Sequence, residues 1–207
     1  LRLSIPDERL DDVVVLDIRN FVCPPPLNPL QAPGRDDNYA AGEVVSILET
    51  VEGTLSPRIA NSLNAAFVTI RKEETPTVRD VVKLFRDPEY RYQFVDRVED
   101  PITQDYWEDY EQMSPGRQDE LRQPIMHRMG RFYRNPVLYP ILCHPQPINF
   151  QDLIRDKRIV LMSLGIDETQ VPDIERRLVG VSLIKQFQMA AMSSLEMNEF
   201  YLYIDEV

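Results

Sequence analysis

The last residues of the chain combine an apolar run with two adjacent carboxylates. Residues 200–204 are all apolar or aromatic, and Asp205 and Glu206 follow directly. A run that is apolar on both faces is typical of a central strand in a parallel sheet, and such sheets bind ligands beyond the carboxyl ends of their strands. At that point an Asp can hold Mg²⁺ through oxygen and water ligands, and a Glu can activate a water for attack on a γ-phosphate. The pattern therefore predicts Asp205 as a metal ligand and Glu206 as a catalytic base.

This arrangement is that of the Walker B element, although similar runs also occur at ordinary strand exits. Its usual partner, the phosphate cradle G-x-x-x-x-G-K-[ST], is not in the sequence, because none of the seven glycines is followed by Lys. Either the cradle lies upstream of Leu1 or the interpretation of Asp205 and Glu206 is wrong. The chain starts without Met and stops one residue after Glu206, so we expect it to be a segment of a larger protein.

Composition limits the classes of protein that fit. The chain has 207 residues, of which 43% are hydrophobic and 28% charged, as in ordinary globular proteins. A net charge of −11 argues against a free-standing basic nucleic-acid module, but not against a motor that grips nucleic acid through a few loops. With only two Cys and no apolar run of about 20 residues, we expect a cytoplasmic segment without membrane contact. Any membrane anchor would lie in an upstream segment.

Both ends of the chain have α/β character, and the middle is helical. Residues 13–16 fit a buried strand and residues 159–164 a second one. Prolines at 24–26 form either a stiff surface connection or a polyproline docking motif. The best helix runs over 172–192, with an apolar stripe predicted at Ile174, Leu178, Val181, Ile184, Phe187 and Ala191. Other helices are expected to begin near Asp37, Pro57, Thr77, Pro88, Pro101 and Pro115.

The predicted fold class is α/β, in which a large all-helical insertion interrupts a parallel sheet. Residues 1–40 would form the first part of the α/β core, residues 41–149 the helical insertion, and residues 150–207 the second part of the core. Strand, long helix and strand at 159–204 would form a right-handed crossover.

Several short runs resemble known proteins. They are IPDER at 5–9, DDVVVLD at 11–17, LNPL at 27–30, SPR at 56–58, NAA at 64–66, NP at 135–136 and FYLYIDEV at 200–207. Together with the second strand and the long helix, they resemble HerA/FtsK-related P-loop ATPases, and most closely the TraG/TraD class of type IV secretion coupling proteins. The chain departs from that family after the first strand, where residues 17–20 read DIRN and an Asp-Pro pair is expected.

The resemblance implies part of a RecA-like P-loop ATPase sheet, with the helical region at one face of a homohexameric ring. It implies ATP bound between subunits, Mg²⁺ at Asp205, water activation by Glu206, and DNA as the translocated partner. Secretion-system proteins would be further partners. The alternative from another class is a non-catalytic helical protein-interaction module on an α/β base, which would recognise a cargo or secretion partner through the acidic surface around Trp107.

Two internal features each have a functional and a structural interpretation. The acidic segment 96–111 is either a docking surface for a basic partner or a solvated helix face, with Trp107 as the anchor of the helical core. Cys143 and His144 are adjacent, but the sequence has no C-x-x-C or H-x-x-x-H spacing to support a metal site.

Charged pairs near the second strand also have two interpretations. Asp167 and Glu168 follow that strand and either help to position Mg²⁺ or a neighbouring subunit's Arg, or form a turn before the long helix. Arg176 and Arg177 either reach a neighbouring subunit's phosphate, as an arginine finger does, or form a solvated helix start.

Overall fold

The structure, a computed structural model, describes residues 5–32, 34–165, 171–193 and 201–203. A 3-10 helix at Asp7–Asp12 leads into strand β1 (Val13–Asp17), and strand β2 is Ile159–Ser163. The α-helices between the strands are α1 (Asp37–Glu52), α2 (Pro57–Ile70), α3 (Val78–Arg86), α4 (Pro88–Val95), α5 (Pro101–Gln112), α6 (Pro115–Arg134), α7 (Leu138–Leu142) and α8 (Phe150–Arg155). Helix α9 (Asp173–Ser193) follows β2. The described chain is thus mostly helical with a two-stranded parallel sheet, which is compatible with an α/β fold that carries a large helical part between its strands.

Local capping explains where the helices begin. The carboxylate of Asp36 accepts a hydrogen bond from the Tyr39 amide (3.0 Å), and that of Asp100 accepts one from the Thr103 amide (2.8 Å). Each bond satisfies an amide that has no partner within its own helix. Helices α2, α4, α5 and α6 all have Pro in the first turn, where its missing N–H costs nothing. All the helix starts expected between residues 37 and 115 are confirmed.

The two strands pair in parallel and in register, from Val13 opposite Ile159 to Asp17 opposite Ser163. Within the described residues the sheet has only these two strands, and Leu16 is its one buried strand residue. The prediction of a buried first strand is wrong in this respect, since the Val15 side chain is 58% exposed. In larger parallel sheets the strands are buried because both faces of the sheet are covered. Two paired strands have too few neighbours for both faces to be covered.

The core is built almost entirely by the helices. Helix α1 packs on α2 and α9, α3 on α6, and α8 on α9. The predicted apolar stripe of α9 is confirmed in part, because Leu178 is buried and Val181, Phe187 and Ala191 pack against the core. Ile174 is exposed, whereas the polar residues Glu175, Ser182 and Gln186 are buried. Apolar residues occur all around this helix, so their spacing alone does not select the inward face.

The proline-rich connection after β1 is tied to the helical region. The Leu27 amide donates to the Ile141 carbonyl (2.7 Å), and the Ile148 amide donates to the Pro26 carbonyl (2.9 Å). Asn28 is fully buried, and its side-chain amide donates to the carbonyls of Pro76 and His144. This packing supports a stiff connection and not an exposed docking motif.

Candidate functional site at the carboxyl edge of the sheet

The parallel pairing brings the carboxyl ends of β1 and β2 to the same edge. Asp17 and Ser163 are direct partners there, and the Ile18 amide extends the ladder by donating to the Ser163 carbonyl (3.2 Å). A Pro at position 18 has no N–H to donate. The Ile at position 18, where the resemblance predicts Pro, therefore makes a ladder bond that Pro would lose.

Asp17 is held by Arg19, two residues further along the chain. The Arg19 backbone amide (2.9 Å), Nε (3.0 Å) and Nη2 (2.7 Å) all donate to the Asp17 carboxylate. The side-chain hydrogen bond from Arg19 is the main reason why the pKa of Asp17 lies below its ordinary value. The edge therefore carries an ionised carboxylate and a guanidinium whose orientation is fixed by that carboxylate.

Gly165, after β2, lets a second arginine reach this edge. Its φ of +73° lies in the left-handed region, and a Cβ atom there would stand 3.0 Å from Arg19 Cδ. Its carbonyl accepts a hydrogen bond from Arg176 Nη1 (3.1 Å), while Arg176 Nη2 lies 3.3 Å from the Asp173 carboxylate. Arg19 and Arg176 therefore contact the same glycine from two elements.

The two candidate arginines of α9 have different environments. The Arg176 side chain is only 16% exposed and ties the first turn of α9 to the end of β2, so the interpretation as a solvated helix start is wrong for this residue. Arg177 is exposed, as that interpretation expects. One feature of the sequence could have indicated the role of Arg176. It lies in the first turn of α9, and α9 follows β2 and Gly165 along the chain.

The predicted catalytic pair lies beyond what the structure describes. Asp205 and Glu206 fall outside the described residues, as do Asp167 and Glu168. Residues 201–203, expected in a buried central strand, are described without strand or helix, and the Tyr203 side chain is 88% exposed. That expectation is wrong for these three residues, because no strand within the described part of the chain pairs with them, and a strand depends on its neighbours.

The adjacent Cys143 and His144 have structural roles. Burial raises the pKa of the Cys143 thiol to about 12, which disfavours the thiolate that binds metals. His144 Nδ1 accepts a hydrogen bond from the Gln146 amide (3.1 Å). Within residues 5–32, 34–165, 171–193 and 201–203, no three His, Cys, Asp or Glu side chains cluster closely enough to hold a metal ion.

Trp107 anchors the helical core, as one of the two interpretations predicted. Its indole Nε1 donates to Thr69 Oγ1 (2.7 Å), and its ring packs against Phe85 and Tyr110. No sequence pattern indicated a role for Arg91, which is 2% exposed and lies over the rings of Trp107 and Tyr110 at 5.4 and 5.2 Å.

Within the acidic segment, two carboxylates serve the fold. Asp100 caps α5, and its pKa is lowered mainly by the hydrogen bond from Thr103. The carboxylate of Glu111 pairs with Arg91. The other acids of the segment are exposed: Asp96, Glu99, Asp105, Glu108 and Asp109. They form a solvated acidic face on and before α5.

No described helix combines the length and the hydropathy that a bilayer crossing requires. Comparison of the chain with protein-family models, curated proteins and solved structures gave no match.

Proposed function

We propose that this chain forms part of a Mg²⁺-dependent, ATP-hydrolysing motor that translocates DNA, similar to the TraG/TraD class. The observation that supports this most strongly is the parallel pairing of β1 with β2, whose carboxyl ends meet at one polar edge. After β2, the 21-residue helix α9 precedes residues 200–206. Residues 201–203 do not belong to the described sheet, so this proposal requires a larger parallel sheet in the complete protein, in which residues 200–204 pair and place Asp205 at the edge that Asp17 and Ser163 occupy.

The residue types at this edge fit a magnesium triphosphate. Carboxylate oxygens are the ligands that Mg²⁺ prefers, and guanidinium groups pair with phosphate oxygens. Asp17 supplies an ionised carboxylate, and Arg19 and Arg176 supply guanidinium groups. In the proposed site Asp205 holds Mg²⁺, which neutralises phosphate charge when bound. A carboxylate oxygen of Glu206 accepts the proton of the attacking water.

The remaining parts of the proposal follow from the same resemblance. The sheet would belong to a RecA-like core formed by residues 1–40 and 150–207, with residues 41–149 as its helical domain. The phosphate cradle would come from another part of the same protein, and ATP would bind between the subunits of a cytoplasmic homohexamer. DNA is the proposed substrate for translocation, and secretion-system proteins are proposed partners.

Glu206→Gln in the full-length protein tests the catalytic role. The amide cannot accept the proton, so ATP turnover should fall by about 10²–10⁴-fold, equivalent to about 3–5 kcal/mol of barrier, while nucleotide binding persists. Steady-state ATPase assays and fluorescent-nucleotide binding measure the two effects. Glu108→Gln makes the same chemical change at an exposed position on α5 and should leave turnover unchanged. Normal turnover in the Glu206 variant would refute its assignment as the base.

A non-catalytic protein-interaction module remains the second candidate, because α5 presents an unusual surface. Ile102 is 78% exposed beside the acidic face that includes Asp105 and Asp109. A basic protein partner would bind this face without nucleotide. Replacing Asp105 and Asp109 by Lys would then abolish binding of that partner, whereas Glu206→Gln would not affect it. A Walker A loop encoded upstream of Leu1 would favour the motor.

A further inference from the structure

The acidic residues of this chain are distributed unevenly. The chain contains 34 Asp and Glu residues, or about one in six, yet residues 121–151 contain none. Both histidines and four arginines fall in this 31-residue stretch. A chain with a net charge of −11 thus has a 31-residue segment with only positive charges, longer than the 20-residue acid-free stretches at 53–72 and 176–195.

The basic side chains of this segment lie mainly on the second half of α6. His127, Arg131 and Arg134 are exposed and spaced by four and three residues, which places them on one face of the helix. Arg128 lies beside them, 29% exposed. We call Arg128, Arg131 and Arg134 the α6 basic stripe. At 1.5 Å per residue, the stripe extends about 9 Å along the helix.

Neighbouring groups neutralise the stripe only in part. Among the described carboxylates, only that of Glu52 on α1 lies within ion-pair distance, 3.4 Å from Arg128 Nε and 3.3 Å from Arg131 Nη1. Arg134 lies over the ring of Tyr133 at 5.6 Å. Three guanidinium groups and one carboxylate leave a net charge of +2 on this face.

The helix dipole accounts for only part of this arrangement. Cations in the last turn of a helix are favourable by about 0.3–1 kcal/mol, which explains a preference for Arg131 and Arg134 there. It does not explain why α7 and the loops on either side of it also contain no acid. A surface with few carboxylates favours binding of a polyanion, since each unpaired carboxylate on it would repel the ligand, and the one carboxylate beside the stripe, Glu52, is paired with Arg128 and Arg131.

We propose that the α6 basic stripe binds the phosphate backbone of DNA. This inference rests on the proposed function for the choice of DNA as the ligand. The guanidinium fork pairs with two phosphate oxygens at once, and the stripe contains arginine and no lysine. Because the rest of the chain is strongly acidic, DNA should make its contacts where positive charge is concentrated.

The test measures binding of a fluorescein-labelled 30-base-pair duplex by anisotropy, without nucleotide, as a function of salt concentration. Replacing Arg131 and Arg134 by Ala should weaken binding at 0.1 M salt by at least about tenfold. It should also reduce the slope of log K against log salt by about 1.8, or 0.9 for each lost phosphate contact. The matched control replaces Arg97 and Arg117, also exposed, and removes the same charge elsewhere.

Each outcome of the binding test decides for or against the stripe. Equal weakening in the two double variants would indicate general electrostatic attraction and would overturn the proposal. So would unchanged binding, or displacement of the duplex by a polyglutamate peptide at equal charge concentration. Arg134→Glu alone keeps both pairs of Glu52 intact, so its loss of DNA binding cannot come from a broken α1–α6 contact.

The binding test is independent of the ATPase test. If the stripe variants bind DNA normally and Glu206→Gln lowers ATP turnover as expected, the protein is a motor that binds DNA at another site. If the stripe variants lose DNA binding and Glu206→Gln has normal ATP turnover, the chain binds DNA but lacks the proposed catalysis.

Discussion

Replacing Arg91 by Ala should destabilise the helical region by about 3 kcal/mol. Arg91 is 2% exposed, and its guanidinium donates to the Leu84 carbonyl and pairs with Glu111. Leaving that buried carbonyl without a donor costs about 1–3 kcal/mol. Losing the desolvated contacts with two aromatic rings costs about 1–2 kcal/mol, and the Glu111 pair, 31% exposed on the carboxylate side, contributes up to about 1 kcal/mol.

The desolvation cost of the Arg91 guanidinium reduces the expected loss of stability. Taking a guanidinium out of water is costly, and Arg91 Nε has no hydrogen-bond partner in the described part of the chain. Removing the side chain recovers part of that cost, which brings the sum of the losses down to about 3 kcal/mol.

Urea unfolding followed by circular dichroism, together with thermal unfolding, measures this effect. For a chain of this length, 3 kcal/mol corresponds to a decrease in Tm of about 6–12 °C. Arg97→Ala is the matched control, because Arg97 also lies over an aromatic ring, that of Phe94 at 5.5 Å, but is exposed. It should lose less than about 1 kcal/mol. Equal losses in the two variants, or a loss below 1 kcal/mol at Arg91, would refute this account of the buried arginine.

Two further predictions concern the edge of the sheet. Gly165→Ala should cost about 1–2 kcal/mol because of its positive φ and should also displace Arg19, so the pKa of Asp17 should return towards its ordinary value in an NMR titration. Gly53→Ala has a similar φ of +85° and open space around its Cβ position, so it should show only the backbone cost. Asp17→Asn should lose about 0.5–1 kcal/mol at pH 7. Because the pKa of Asp17 is lowered on folding, this difference from the wild type should shrink as the pH falls through the pKa of the folded state; a constant difference in urea unfolding down to pH 2 would contradict it.

Local signals in the sequence were sufficient for most of the fold. Capping residues and first-turn prolines fix helix starts through bonds within one turn, so the starts of α1 and α5 could be read from Asp36 and Asp100. The two described strands were visible as short β-branched runs. Their parallel alignment also followed from the pattern of strands and helices.

Features that depend on contacts between distant residues were not predictable in this way. The burial of the polar residues Ser182 and Gln186 on α9 depends on packing against other helices and not on the apolar spacing of α9 itself. Arg91 is buried because Trp107 and Tyr110 from another helix surround it. At the candidate site, the roles of Asp205 and Glu206 stay predictions. The contact between Arg176 and Gly165 joins residues 11 positions apart, and local patterns do not specify such a contact.

The way in which residues 26–28 are fixed has a mechanical consequence. Prolines on both sides of Leu27 restrict backbone rotation, and three of the bonds formed by Leu27 and Asn28 reach Pro76, Ile141 and His144. A flexible connection would absorb a displacement of the end of β1. A connection fixed at three points should transmit it, so the same displacement would pull together on the residues before α3, on α7 and on the loop after α7.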